Sequence, residues 1–229
     1  MPDIPEQPKA SADDVAHTIV KAAISAVPAA GGPAAELMTL IFAPPLEKRR
    51  EKWLGKLADA VNEILGKVAD LTPEKLSQND AFITTALHAG QIASRTHEVE
   101  KLTALRNAVV NSVLPGAPDD ALQQIFLEHV DALTPWHLRI LAYFDNPQEW
   151  ASHHNIHFPQ WTAGAPSQAL EIAIPELTGR RQFYDVICAS LERRQLLGSG
   201  IHGMMTGQGM LAQRTTSHGR DFLAFISRH

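Results

Sequence analysis

The sequence predicts a mainly α-helical protein, an irregular multi-helix bundle that carries a small β-hairpin near its C-terminus. Apolar residues recur at steps of three and four along most of the chain, which is the helical period. Asn, Asp, Thr and Pro stand where these periodic segments begin, as expected of helix starts. The 229 residues are 45% hydrophobic and 20% charged, which is enough for a substantial core and excludes a wholly disordered or collagen-like chain.

For the N-terminal region, the sequence predicts a tail followed by two apolar helices. Residues 1–10 contain three prolines and little apolar surface, so we expect them to be a disordered tail. Helices over 15–27 and 33–42 are separated by a Gly-Gly-Pro break. A basic cluster at 48–52 follows them, and an apolar hairpin beside such a cluster is typical of membrane-associating segments. Charged residues within and next to the hairpin favour a buried helical pair over a membrane-acting one.

The following region completes a predicted helical bundle over residues 11–151. Its clearest helix covers 46–71, where apolar residues recur on one side and basic residues occupy the others. Further helix starts are indicated by Pro73, Asn79 or Asp80, Thr96, Asp119-Asp120, Thr134-Pro135 and Asn146-Pro147. Because an apolar periodic segment follows each signal, we predict one helix after each of them.

Residues 152–165 predict a connection between this bundle and a second unit at 166–229. They contain three histidines and show no sustained period. Charge supports the division, because residues 1–177 hold 13 Lys and Arg against 22 Asp and Glu, whereas residues 178–229 hold 7 against 3. For the second unit, the sequence predicts a helix from Ser167, a basic helix over 180–197, a glycine-rich stretch, strand character over 210–214 and a last helix over 217–226.

This order resembles the winged-helix family over residues 164–229. A leucine-rich helix end at 191–197 leads into a glycine-containing wing, and Thr216-Ser217-His218-Gly219 opens the closing helix. The resemblance implies a helix-turn-helix whose second helix can enter the major groove of DNA while the wing contacts phosphate or the minor groove. It implies the following nucleic-acid contacts: Arg180, Arg181, Gln182 and Tyr184 on the helix, and Arg214 on the wing.

Three patterns that could carry chemistry have simpler interpretations. The glycines of 198–203 match G-x-G-x-x-G, but the strand and the length that a dinucleotide fold requires are missing around them. His153 and His157 lie one helical turn apart without a further metal ligand in the pattern. Cys188 follows the apolar stripe of its helix and is expected to be buried. We therefore expect no catalytic residue, no cofactor and no metal.

The sequence thus favours a non-enzymatic, cytoplasmic protein-interaction or regulatory module with a protein partner. One cysteine suits a reducing compartment, and no apolar run reaches the roughly 18 residues of a membrane span. The alternatives are a DNA-binding regulator that uses the basic C-terminal unit and a membrane-acting effector that uses the hairpin 15–42. No feature of the sequence determines whether the chain self-associates.

Overall fold

The computed structural model describes residues 44–68 and 70–227 and is mainly helical, with eleven α-helices and one small sheet in these ranges. The chain divides into two compact units, residues 1–52 and 53–229. Of the first unit, only residues 44–52 are described, so the predicted tail 1–10 and the predicted hairpin 15–42 lie outside the described residues. None of the described helices is both long and apolar enough to cross a membrane.

The described helices follow the predicted order, but the helix predicted over 46–71 covers Pro44–Leu65, and a short helix at Gly207–Met210 was not predicted. The first seven are α1 (Pro44–Leu65), α2 (Pro73–Ser77), α3 (Asp80–Arg95), α4 (Val99–Asn111), α5 (Asp120–Ala132), α6 (Pro135–Asp145) and α7 (Pro147–His153). After these come β1 (Ala163–Gly164), α8 (Pro166–Ala173), a 3-10 turn (Pro175–Leu177), α9 (Arg181–Arg193), β2 (Met205–Thr206), α10 (Gly207–Met210) and α11 (Ser217–Ile226).

Side-chain caps start several helices at the predicted positions. The side-chain oxygens of Asn79, Asp119 and Thr216 each accept a hydrogen bond at 2.9 Å from a backbone N–H three residues later. Each cap satisfies an N–H that has no partner within its own helix. Thr134 and Asn146 occupy the same position before α6 and α7, so these predicted starts are confirmed.

A continuous hydrophobic core holds the unit 53–229 together. It includes side chains from both sides of the predicted connection 152–165, such as Phe126 and Phe222, whose ring centroids lie 5.6 Å apart. The C-terminal end of α11 is fixed to α4 by Asn107, which donates to the carbonyl of Ile226 at 2.9 Å, and by Asn111. These bonds satisfy carbonyls that the end of a helix leaves without partners.

The sheet differs from the predicted hairpin. β1, which lies inside the predicted connection, pairs antiparallel with β2, so that Ala163 is opposite Thr206. The predicted strand character over 210–214 is wrong, because Met210 ends α10 and the next four residues form no strand. Strands of two residues depend on their partner more than on local propensity, which explains the error.

Candidate interaction surface

The structure separates the predicted DNA-contacting residues of α9 into exposed and buried ones. Arg180, Arg181 and Gln182 are exposed where α9 begins. Tyr184 is only 1% exposed, and its hydroxyl donates to Oε1 of Glu171 at 2.8 Å. The prediction that Tyr184 faces a ligand is therefore wrong, because this side chain belongs to the core-facing side of the helix.

Arg214 is half-buried and directed toward the protein. Its Nη2 donates to the carbonyl of Gly209 at 2.7 Å and lies 2.8 Å from Sδ of Met205. Its Nε is buried and has no hydrogen-bond partner among the described residues, and burial lowers the pKa of the guanidinium. This side chain stabilises the glycine-rich segment from within, which corrects its predicted placement as a ligand contact on a wing.

Arg180 stacks against aromatic rings from two helices. Its guanidinium carbon lies 4.1 Å from the centroid of the Phe183 ring and 5.8 Å from that of Trp136 on α6. The two rings meet edge to face with their centroids 5.7 Å apart. Arg139 approaches the Trp136 ring to 5.2 Å, so cation–π contacts join α6 to the start of α9.

The exposed part of this cluster continues along α9. Val186 is 67% exposed and lies one helical turn after Gln182. We define the Arg180 surface as Trp136, Arg139, Arg180, Arg181, Gln182, Phe183 and Val186. It combines exposed guanidinium groups, two partly buried aromatic rings and one exposed aliphatic side chain within the unit 53–229.

The three arginines of this surface differ in their partners. Arg139 pairs with Glu176 at 2.9 Å, and this hydrogen bond lowers the pKa of the Glu176 carboxyl. Arg181 lies 3.5 Å from Asp185. The Arg180 guanidinium makes no hydrogen bond and no ion pair with any described residue. Its N–H groups are therefore not committed to another part of the described chain.

A hydrogen-bonded chain of Ser, His and Asp lies on the neighbouring side of α9. Nε2 of His202 donates to Oδ1 of Asp185 at 2.6 Å, and Nδ1 of His202 lies 3.2 Å from Oγ of Ser167. The same three residue types perform acyl transfer in many hydrolases, where the hydroxyl is the nucleophile. No local pattern of the sequence indicates this cluster, because its members belong to α8, α9 and the glycine-rich segment.

The surroundings of Ser167 do not provide what acyl transfer requires. Ser167 is 7% exposed, and its backbone N–H already donates to the carbonyl of Ile201 at 2.9 Å. The next N–H, that of Gln168, is bonded to Ala165 at 3.0 Å. An oxyanion needs donors that are free and a nucleophile that substrate can reach. The chain instead connects α8 and α9 to the glycine-rich segment, and we assign it a structural role.

The structure also places the cysteine and the glycine motif that the sequence singles out. Cys188 is 2% exposed, as expected, and burial raises the pKa of its thiol to about 12. No group of three or more His, Cys, Asp or Glu side chains in the described ranges is arranged to hold a metal ion. The glycines of 198–203 follow α9 instead of a strand and form the turn that carries His202.

A histidine pair that the sequence analysis missed lies between α5 and α11. Nε2 of His129 is 3.4 Å from Nε2 of His218, and the ring of Phe222 meets His129 edge-on. Burial, the nearby Arg194 cation and His218 together lower the pKa of His129 to about 4, so this imidazole is neutral at pH 7. His218 also lines a cavity of about 460 Å³ next to Glu192.

No protein-family model matches the chain, and no curated protein and no solved structure shows significant similarity to it. The functional interpretation therefore depends on the geometry of the molecule. Within the described residues, the Arg180 surface is the part of the predicted site that the structure brings together and leaves exposed.

Proposed function

We propose that the protein is a protein-interaction module and that the Arg180 surface is its contact site. The observation that supports this most is the Arg180 guanidinium, which is stacked on Phe183 but makes no hydrogen bond or ion pair with any described residue. Trp, Phe and Arg are enriched in protein interfaces, and a few such residues provide most of the binding free energy. The composition of the Arg180 surface matches that pattern.

The support beneath the surface is rigid, which favours binding. The opposite side of α9 enters the core through Tyr184, Ile187, Cys188 and Leu191, all at most 3% exposed. A helix held in this way presents its outer side chains in a fixed arrangement. Binding at this helix then costs the protein less conformational entropy than binding at a loop would.

Site-specific photocrosslinking tests the proposal. Gln182 is replaced by p-benzoylphenylalanine in the full chain, and the matched control places the same group at Gln91, an exposed position on α3. Irradiation in the producing cells is expected to give protease-sensitive adducts from position 182 and none of the same size from position 91. Adducts of equal yield from both positions, or none from position 182, would reject the proposal.

A DNA-binding regulator is a second candidate, because the sequence over residues 164–229 resembles the winged-helix family. α8 and α9 would be the helix-turn-helix, and the bridge between Leu197 and Thr215 closes the glycine-rich segment into a loop like a wing. Arg180, Arg181 and Gln182 lie at the N-terminal end of α9, from which recognition helices contact bases. Tyr184 and Arg214, two further contacts that the resemblance implies, are directed into the protein, so this candidate ranks second.

Fluorescence anisotropy of a random DNA duplex with the full chain tests the second candidate. Binding should fall steeply with salt and should be lost in the Arg180→Ala/Arg181→Ala variant. The control, Lys56→Ala/Arg95→Ala, removes the same charge from exposed positions on α1 and α3. An absence of binding at low salt, or an equal loss in both variants, would reject DNA binding through α9.

A further inference from the structure

We infer that the partner presents an acidic segment and that Arg180 receives one of its carboxylates. The inference rests on the proposed function and names the chemistry of the partner at the same surface.

The free edge of the Arg180 guanidinium is the first observation behind it. A guanidinium is planar and carries five N–H donors along its edges. The guanidinium carbon of Arg180 lies 4.1 Å from the centroid of the Phe183 ring, and none of the guanidinium N–H groups donates to a described residue. Two parallel N–H groups match the two oxygens of a carboxylate, and this bidentate geometry makes such hydrogen bonds strong and directional.

The charges around Arg180 are the second observation. Two acids next to the surface already have partners, since Glu176 accepts from Arg139, and Asp185 accepts from His202 and pairs with Arg181. Arg180 is therefore the cation of the surface that has no counter-charge among the described residues. The surface therefore keeps one positive charge that is not neutralised, and this charge is complementary to a carboxylate of an acidic partner.

Val186 adds an apolar contact to the same surface. It is 67% exposed and lies on α9 one helical turn after Gln182. Apolar residues between the acids of the partner segment would cover this valine.

Anisotropy titration with two labelled peptides tests the inference on the full chain. The acidic probe repeats Glu-Ser-Gly-Leu three times, and the matched probe has Gln in place of every Glu. We expect the acidic probe to bind at least about tenfold more tightly, and Arg180→Lys to remove most of that difference, because lysine keeps the charge but loses the planar donor pair. Arg95→Lys, at an exposed position on α3, should change neither titration.

The possible results separate the inference from the proposed function. Equal binding of the two probes, binding of neither, or an unchanged preference in Arg180→Lys would overturn the carboxylate assignment. A random DNA duplex that binds more tightly than the acidic probe in an Arg180-dependent way would overturn it in favour of nucleic acid. Protein adducts from position 182 together with any of these results would leave the proposed function standing and reject the carboxylate alone.

Discussion

Replacing Gly219 by alanine should strongly destabilise the protein, because the first turn of α11 lies directly against the backbone at Leu196. A Cβ at Gly219 would lie 2.9 Å from the carbonyl carbon of Leu196 and closer still to its oxygen. Both of these are backbone atoms, so no side-chain rotation can relieve the contact. The start of α11 would have to move away from Leu196.

The cost of that movement follows from the bonds that hold the two segments. Thr216 donates from its N–H to the carbonyl of Leu196 at 3.1 Å, and its hydroxyl donates to the carbonyl of Gln195. The loss of both bonds costs about 2 kcal/mol, and residual overpacking adds about 1–3 kcal/mol. The free energy of unfolding should therefore fall by about 3–5 kcal/mol, which corresponds to a melting temperature lowered by about 10 °C in a domain of this size.

Urea denaturation followed by circular dichroism measures the effect, with Gly55→Ala as the matched control. Gly55 lies inside α1, and no heavy atom comes within 4 Å of a Cβ built there. The control should gain about 0.5–1 kcal/mol, since alanine favours the helix interior over glycine. If Gly219→Ala remains within about 1 kcal/mol of the wild type, the reasoning about the contact between α11 and Leu196 is refuted.

Three further changes test other parts of the structure. Asn111→Asp should lower the free energy of unfolding by about 3 kcal/mol, because a carboxylate would replace the amide that donates to the last carbonyls of α11; a loss below about 1 kcal/mol in chemical denaturation would contradict this. The low pKa of His129 means that the unfolded state binds its proton first, so stability is complete above about pH 6.5 and declines by about 2–3 kcal/mol as the pH falls to 4. His129→Leu should flatten this decline in denaturation curves at pH 7 and 4.5, and an unaltered decline would show that other groups cause it. Asp185→Asn should accelerate hydrogen exchange at the Ser167 amide with little change in global stability, because it weakens the bond that holds His202, next to the Ile201 carbonyl that accepts from Ser167. Unchanged protection of this amide would contradict the structural role of the Ser–His–Asp cluster.

The parts of the fold that the sequence could predict are those with local causes. Asn79, Asp119 and Thr216 cap helices through bonds to residues three positions away, so their role is visible in a short stretch of sequence. The buried side of α1 is harder to predict, because Leu54 is 44% exposed while its neighbour Trp53 is buried and donates from Nε1 to the carbonyl of Leu102. Where two adjacent residues of a helix are both apolar, the sequence does not show which of them faces the core.

In the candidate site, too, the sequence predicts what has a local cause and not the contacts between helices. The buried positions 184, 187, 188 and 191 follow the helical period, so the sequence pattern of α9 itself places Tyr184 on the core-facing side. By contrast, the contact of Arg180 with Trp136 joins residues from different helices, and no local pattern indicates it. The pairing of Leu197 with Thr215 likewise depends on how the glycine-rich segment closes.

Photocrosslinking from position 182 in an Arg180→Ala/Phe183→Ala background tests most directly whether the Arg180 surface contacts another protein. Phe183 packs against the core, so circular dichroism of the purified variant first establishes that it folds. The yield of the protein adduct should fall at least about tenfold, because the variant removes the guanidinium and the ring on which it stacks. A folded variant that forms the adduct with wild-type yield would contradict the assignment of this surface as the contact site.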